Sequence, residues 1–501
     1  MACVPESEPE CQGGAGGAGG APPGCCLSIE DCFTLDSETP AGNQACGEVA
    51  QGHSFVVVPD TTTSQRFNAT GTVPGRLLTW GNVFGPKGEV GAQLQRLNLN
   101  GPLQYDFSAQ WPNMDSGRTT GDVLVLPPPG SRATVGFLLG TCSGQTKGLA
   151  CPGEMAVAYA SRFATNVMGA DLSFVTSQTG TSKSASRLIA GAAVSPDFKA
   201  NDDLVALALE QGPWDGEGPT TGYPRLAALR FDAFVEPVSE VALPTDCSLD
   251  SALSDPTKKV MARGAAFLSE GGAYFAGSLC SSEGFVFKVL PNGTQTEVKF
   301  TSTETSVAGV RVAADWLVVV GTFAGPLTMV SANGDVTQLA EENPAGQTAF
   351  IAIFDKDLNL NRFASFAGGG EIRVNDFDVR GSGNGEARNY AVHFGGSLKG
   401  TVNFGCFGAD YGDEHERAFL ANLSIGELTT GGRVTDDQPI TPLYLKVYGT
   451  TKGDTEVSTV QTNGENVIIT GVMDAGAELD PTPSIAGGTL GQSPGDRKSV
   501  V

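Results

Sequence analysis

Residues 316–325 read WLVVVGTFAG, and residues 349–360 read AFIAIFDKDLNL. Both are short apolar runs rich in β-branched and aromatic residues, and turn-forming residues such as glycine, aspartate and asparagine follow the apolar part. This composition is typical of β-strands separated by turns. Together the two runs define a unit, which consists of an apolar run that ends in glycine, a variable stretch, and a second apolar run.

The same unit recurs along the chain. The first-type runs are RLLTWGNVFG (76–85), TVGFLLGTC (134–142), DLVALALEQG (203–212), AYFAGSLC (273–280), WLVVVGTFAG (316–325), NYAVHFGGSLKG (389–400) and NVIITGVMDAG (466–476). The second-type runs are AQLQRLNL (92–99), MAVAYASRF (155–163), RLAALRFDAF (225–234), FVFKVLPNG (285–293), AFIAIFDKDLNL (349–360) and AFLANLSIG (418–426). The apolar spacing of MAVAYASRF also fits a helix, but its neighbours favour a strand.

Seven such units predict an all-β protein with a repeat architecture. At about four strands per unit, the expected fold is a β-propeller of about seven four-stranded blades, within a range of six to eight. The run HSFVVVPDTTTSQRF (53–67) is interpreted as a second-type run without a partner, and DRKSVV (496–501) begins another. The first and last blades are therefore expected to complete one another, unless the chain was cut within a blade.

The composition agrees with many short strands and excludes some partners. The 501 residues include 67 glycines and 29 prolines, which favour turns over long helices. The net charge of −24 argues against nucleic acid and against anionic membrane surfaces. No apolar stretch is long enough to predict a transmembrane helix.

The N-terminal residues 1–50 form a separate region ahead of the predicted propeller at 51–501. Residues 12–24 read QGGAGGAGGAPPG, a flexible glycine-rich tether, and a small cysteine-dense segment follows it. The eleven cysteines of the chain are Cys3, Cys11, Cys25, Cys26, Cys32, Cys46, Cys142, Cys151, Cys247, Cys280 and Cys406. Their irregular spacing does not fit a zinc site, so disulfides and an oxidising compartment are expected.

Cys3 is the candidate for lipidation, because an Ala-Cys pair before a tether looks like the processed start of a bacterial lipoprotein. Its removal leaves an even number of cysteines for disulfides. The alternative is that Cys3 is paired or free. A lipid on Cys3 would be the expected route to a membrane, and the location would be secreted or the outer cell surface.

The runs WLVVVGTFAG, AFIAIFDKDLNLNRFASFAGGG and NYAVHFGGSLKGTVNFG resemble the repeats of bacterial secreted β-propeller proteins. The tether is similar to linkers in myxobacterial-type surface lipoproteins. The resemblance covers roughly residues 270–480 and is weak over 85–260. It implies a propeller fold and a surface location, but the family is mostly uncharacterised and carries over no functional residues.

Three loops are candidate sites. Asp355, Asp357 and Asn359 alternate oxygen-bearing side chains, as a calcium loop does, although the same residues also favour a tight turn. Calcium is the one candidate cofactor. A second candidate metal or binding loop is the acidic stretch Asp410, Asp413, Glu414, His415 and Glu416. In the third loop, Trp214 with Asp215 and Glu217 would contact a sugar or a partner, or pin the loop to the core.

No catalytic motif is recognisable, and only three histidines exist. The expected function is therefore a non-enzymatic surface protein that binds a protein or a glycan through loops of unequal length. One alternative is a propeller enzyme such as a glycoside hydrolase or lyase, which needs two carboxylates at a set separation. Another is a subunit of an extracellular assembly that pairs by strand addition.

Overall fold

A computed structural model describes the strands between residues 64 and 267 and most of the chain from 272 to 474. The gaps in the second region are 280–281, 341–345, 367–369, 383–386, 405–406, 411–414, 430–439, 450–452 and 464–465, and residues 498–500 are also described. The tether and the cysteine-dense segment at 1–50 lie outside the described residues. Every regular element of the described part is a β-strand, so the all-β prediction is confirmed.

The described strands form seven antiparallel sheets of three or more strands, which follow one another in chain order, and two separate two-stranded sheets. Sheet 1 contains β1 (Ser64–Val73), β2 (Arg76–Phe84), β3 (Val90–Asn98) and β4 (Gln104–Pro112). Sheet 2 contains β5 (Met114–Asp115), β6 (Leu124–Val125), β7 (Val135–Cys142), β10 (Val157–Ala164) and β11 (Phe174–Val175). Sheet 3 contains β12 (Ser186–Val194), β13 (Leu204–Gln211), β14 (Arg225–Phe231) and β15 (Pro237–Leu243). The two short strands β8 (Gln145–Thr146) and β9 (Leu149–Ala150) pair with each other.

The second half of the chain continues this order. Sheet 4 contains β16 (Met261–Phe267), β17 (Ala273–Leu279), β18 (Glu283–Val289), β19 (Gln295–Thr301), β22 (Leu327–Val330) and β23 (Val336–Ala340). Sheet 5 contains β20 (Glu304–Ala313), β21 (Trp316–Ala324), β24 (Thr348–Phe354) and β25 (Leu360–Phe366). Sheet 6 contains β26 (Glu371–Ser382), β27 (Ala387–Lys399), β30 (Arg417–Thr429) and β31 (Thr441–Tyr448), and β28 (Thr401–Phe404) pairs with β29 (Phe407–Asp410) beside it. Sheet 7 contains β32 (Thr455–Asn463), β33 (Asn466–Met473) and β34 (Lys498–Val500).

The two kinds of apolar run occupy fixed places in these sheets. The seven first-type runs form β2, β7, β13, β17, β21, β27 and β33, each of which pairs with the first strand of its sheet. The second-type runs form β3, β10, β14, β18, β24 and β30, so the strand interpretation of 155–163 is also confirmed. The interpretation of 53–67 was wrong where it can be checked. Its last residues, 64–67, begin β1. This strand is the first of sheet 1, since it leads directly into a hairpin with β2.

The glycine in the first-type runs faces a β-bulge. In five sheets the residue before the bulge of the first strand pairs with a glycine of the second strand; these glycines are Gly81, Gly277, Gly321, Gly396 and Gly471. A Cβ on Gly396 would lie 1.7 Å from the carbonyl oxygen of Arg373, and one on Gly471 would lie 2.1 Å from that of Glu456. The bulged strand therefore approaches so closely that a side chain at this position would collide with backbone.

Apolar clusters between consecutive sheets form the core. Sheets 4 and 5 share a cluster around Phe300, Phe323, Phe350 and Phe354, and comparable clusters join sheets 3 and 4, 5 and 6, and 6 and 7. Strand β21 is buried on both faces because a sheet covers each side, which explains why its sequence is continuously apolar instead of alternating.

The first strands of sheets 3 to 7 contact one another in succession, whereas sheet 2 takes part through its second strand, β6. Contacts join β12 to β16, β16 to β20, β20 to β26 and β26 to β32, and β6 contacts both β1 and β12. Strand β32 also contacts β1.

Side chains of β26 bond to the backbone of β32, the edge strand of sheet 7. Asp376 accepts a hydrogen bond from the Val460 amide at 2.9 Å, and Asp378 accepts one from the Thr462 amide at 2.7 Å. Asp376 also pairs with Arg311 of β20 at 3.0 Å. The two aspartates thus satisfy amides that no strand of sheet 7 pairs on that side.

A hairpin of the sheet 5 unit extends sheet 4. Strands β22 and β23 lie between β21 and β24 in the sequence, yet β22 pairs with β19 through Lys299–Val330, Phe300–Met329 and Thr301–Thr328. Sheet 4 therefore has six strands, two of which come from the next unit. The pairing joins the two sheets by main-chain hydrogen bonds in addition to their shared apolar cluster.

Candidate functional site

A polar cavity of about 600 Å³ opens where this hairpin diverges from sheet 4. Strand β19 pairs with β22 only from residue 299 onwards, so residues 295–298 and the hairpin turn 331–334 form the two arms of a fork. The turn that joins β24 to β25 contributes Asp357 and Asn359 to the cavity wall. We call this site the fork cavity.

Charged groups of the fork cavity are paired with each other. Lys288 donates to Asp357 at 2.8 Å, and this hydrogen bond lowers the pKa of the Asp357 carboxyl. Lys299 forms ion pairs with Glu283 at 3.4 Å and with Glu297 at 3.6 Å. Each lysine thus has a carboxylate beside it, and no cavity-lining residue is a histidine or a cysteine.

Two uncharged side chains of the fork cavity remain available to a ligand. Neither the Thr296 hydroxyl nor the Asn333 amide makes a side-chain hydrogen bond to any described residue. Gln295, in contrast, donates to the Ala242 carbonyl oxygen of β15 at 2.8 Å and is held in place by it. The site therefore combines a fixed frame with groups that can both donate and accept hydrogen bonds.

The predicted calcium residues form the turn at one wall of this cavity. Asp355 accepts hydrogen bonds from the Asp357 amide at 2.8 Å, from the Asn359 amide at 2.9 Å and from the Asn359 side chain at 2.8 Å. Leu358 adopts a left-handed conformation with a φ of 64°, and its side chain is buried. Tyr274 of sheet 4 donates to the Lys356 carbonyl oxygen at 2.6 Å and fixes the turn against this preceding sheet.

These contacts explain the alternating oxygens as turn chemistry, in which an aspartate side chain bonds amides two and four residues ahead. No group of three or more His, Cys, Asp or Glu side chains suited to a metal occurs among the residues that the structure describes. Asp355 accepts hydrogen bonds within the turn, and Asp357 is paired with Lys288. The calcium site stays a prediction.

The acidic loop is only partly described. Asp410 ends β29, whereas Asp413 and Glu414 lie outside the described residues. The His415 ring nitrogen Nδ1 lies 3.2 Å from Asp454, whose carboxylate also accepts from the Glu416 amide at 3.0 Å. His415 and Glu416 thus contact the segment that leads into sheet 7 instead of the fork cavity.

Of the remaining predicted residues, the structure describes only the position of Cys142. Trp214, Asp215 and Glu217 lie outside the described residues. The same holds for Cys3, Cys11, Cys25, Cys26, Cys32, Cys46, Cys151, Cys247, Cys280 and Cys406. Cys142 ends β7, where it pairs in register with Val157 and Met114. The disulfide and lipid predictions therefore stay predictions.

The sequence reasoning missed Lys288, Thr296, Glu297, Lys299 and Asn333. Four of them lie on strands β18 and β19, and only the pairing of β22 with β19 makes them part of a cavity wall. Asn333 belongs to an Asn-Gly pair, which is a hairpin signal that could have located one arm of the fork.

No protein-family model matches the chain. A search of curated proteins finds no match either. In the described part of the chain, no helix has the length and apolar character that crossing a membrane requires.

Proposed function

We propose that this protein is a non-enzymatic binding protein, built as a seven-bladed β-propeller. The order of contacts between sheets supports the propeller, because it runs through the first strands of sheets 3 to 7, returns from β32 to β1, and passes through β6 of sheet 2. The apolar clusters between consecutive sheets support it as well, since the blades of a propeller pack face to face around one axis.

The observation that carries the binding function is the chemistry of the fork cavity. Its lysines and carboxylates form ion pairs, and its free groups are a hydroxyl and an amide. Such groups recognise a ligand by hydrogen bonds but are poor proton donors and acceptors near neutral pH. Asp376 and Asp378 on β26 are a pair of neighbouring carboxylates, as the enzyme alternative requires. Both accept hydrogen bonds from backbone amides of sheet 7, which favours a structural role for them.

The location is proposed on the N-terminal sequence. The glycine-rich tether, the crowded cysteines and the Ala-Cys pair ahead of the tether favour a secreted or surface-exposed protein with disulfides and a lipid on Cys3. The ligand is accordingly a protein or a glycan outside the cell. The net charge of −24 favours neither nucleic acid nor an anionic membrane as a partner.

The test is to probe glycan and peptide arrays with the labelled full chain, and to titrate the bound compounds while following the thermal unfolding midpoint. A ligand that binds only the folded chain raises the midpoint. We expect binding to at least one array and recovery of the ligand at unchanged mass. Recovery of a shortened ligand would instead favour the hydrolase or lyase alternative, and no binding to either array would refute the binding function.

A further inference from the structure

We propose that the fork cavity binds a neutral carbohydrate, one or two sugar units of a glycan. This inference rests on the proposed binding function and assigns it a place and a ligand class. The cavity volume of about 600 Å³ falls in the range of small-molecule sites. Its position between a strand edge and a hairpin leaves it open to solvent, so the end of a longer glycan can enter.

The polarity of the cavity wall excludes an apolar ligand. Val330 and Ala332 are the apolar residues of the lining, and the other side chains carry hydroxyl, amide or charged groups, apart from a glycine. These groups are hydrated in the free protein. A ligand that displaced this water without offering hydrogen bonds would leave them unsatisfied at a considerable cost. A hydroxyl-rich molecule replaces the water bonds one for one.

Charge balance favours a neutral ligand over an ionic one. The lining contains two lysines, Lys288 and Lys299, and two carboxylates, Asp357 and Glu297. Because Lys288 is bonded to Asp357 and Lys299 lies beside Glu297, an anion or a cation would compete with an existing partner. A neutral ligand can instead accept from the lysines and donate to the carboxylates while both pairs persist.

The free groups of the cavity match sugar hydroxyls. The Thr296 hydroxyl and the Asn333 amide can each donate and accept, as a sugar hydroxyl can. The part of β19 that β22 does not pair, residues 295–298, places strand backbone beside the cavity. This edge is only four residues long, which gives an extended peptide little room for strand addition. A sugar therefore fits the fork better than a peptide does.

The experiment uses the full chain and three variants. An array of neutral oligosaccharides, their sialylated and sulfated forms, and peptides identifies the bound compound, whose dissociation constant is then measured by calorimetry. The double substitution Thr296→Val with Asn333→Ala removes both free groups and should raise the dissociation constant for a neutral sugar about tenfold. Asn333→Ala alone, at an exposed position, should shift it in the same direction. Thr337→Val, exposed on β23 of the same hairpin and outside the cavity, is the matched control and should leave it unchanged.

The outcomes separate this inference from the proposed function. Neutral-sugar binding that is weakened by the double substitution and not by Thr337→Val supports the fork cavity. Equal binding by all the variants places the glycan site elsewhere and overturns the inference, while the binding function stands. Binding of charged glycans or peptides alone overturns the neutral-carbohydrate class, and an absence of binding on every array overturns both proposals.

Discussion

His393 is the most deeply buried of the described histidines. Its side chain is 4% exposed, and its Nδ1 lies 3.1 Å from the Tyr444 hydroxyl. Burial, with a smaller contribution from the Arg380 charge, lowers the pKa of the imidazole to about 4. In the folded chain the ring is therefore neutral at pH 7 and remains neutral under mildly acidic conditions.

This burial predicts an acid sensitivity that can be assigned to one residue. Between the unfolded value of 6.5 and the folded value of about 4, the unfolded chain binds a proton that the folded chain does not. Stability therefore falls as the pH falls through that window, by about 3 kcal/mol over its full width. His393→Gln should remove this part of the loss, as measured by urea unfolding at several values between pH 7 and pH 4.

Carboxylates also titrate in this window, so the quantity to compare is the difference between variant and wild type at each pH. His415→Gln is the control, because it makes the same substitution at a histidine whose side chain is more than a third exposed. If the wild type and His393→Gln lose stability in parallel on acidification, the buried imidazole is not the origin of the sensitivity.

At the scale of the strand, the recurring glycine is a steric requirement of the bulged pair. A Cβ on Gly396 would lie 1.7 Å from a backbone oxygen, and one on Gly321 would lie 2.4 Å from the Ser306 oxygen. In sheet 3 the equivalent position is Ala208, which pairs with Ile189 before the bulge. Alanine therefore stands in sheet 3 at the position where five other sheets have glycine, so glycine does not occur at every bulged pair.

The glycines therefore predict an asymmetric response to exchange with alanine. Gly396→Ala should destabilise the chain by about 1–3 kcal/mol, since relief of the clash needs backbone movement in a packed sheet. The reverse substitution Ala208→Gly should cost no more than about 1 kcal/mol, the usual penalty of glycine in a strand. Denaturant midpoints measure both. An equal cost at the two positions would show that the collision at Gly396 is relieved without strain.

The strands could be predicted from the sequence because each depends mainly on local pattern. The run at 316–325 is apolar at nearly every position since both faces of β21 are buried, and the glycine within it, Gly321, is the bulge partner. The oxygens of Asp355, Asp357 and Asn359 were ambiguous, because calcium loops and tight turns use the same spacing. In the folded chain Asp355 accepts hydrogen bonds within the turn, and the calcium site stays a prediction.

The fork cavity could not be predicted, because it depends on where a hairpin goes. Asn333 and Gly334 indicate a turn between β22 and β23, but no local signal says that β22 pairs with the preceding sheet instead of its own. Strand β23 is exposed over Val336, Thr337 and Gln338, so it lacks the apolar pattern that located the other strands. Lys288 and Lys299 acquire their significance only after this pairing.

At the scale of the whole molecule, the contact of β32 with β1 makes the first and last sheets neighbours. If the chain closes as proposed, a defect in sheet 7 weakens both sheet 6 and sheet 1. Gly471→Ala is such a defect, since the added Cβ would lie 2.1 Å from the Glu456 oxygen. In an open array the same defect would be felt on one side only.

Native-state hydrogen exchange measures this coupling. In Gly471→Ala we expect lower protection of the amides in β1 and β26, while the central strands of sheet 3 change less, because local stability follows local packing. Unchanged protection in β1 alongside a loss in β26 would contradict closure of the ring. Ala208→Gly in sheet 3 is a useful comparison, since its effect should centre on sheets 2 and 4.

The hairpin that passes from sheet 5 to sheet 4 also limits how such a chain can evolve. Repeat proteins commonly gain or lose whole units by duplication and deletion within a gene. A break between the sheet 4 and sheet 5 units would separate β19 from β22 and β23. The edge of sheet 4 would then lack its pairing strand, and the hairpin would lack a sheet to join. We therefore expect these two units to be duplicated or deleted together, and changes in the number of units to occur at the other junctions.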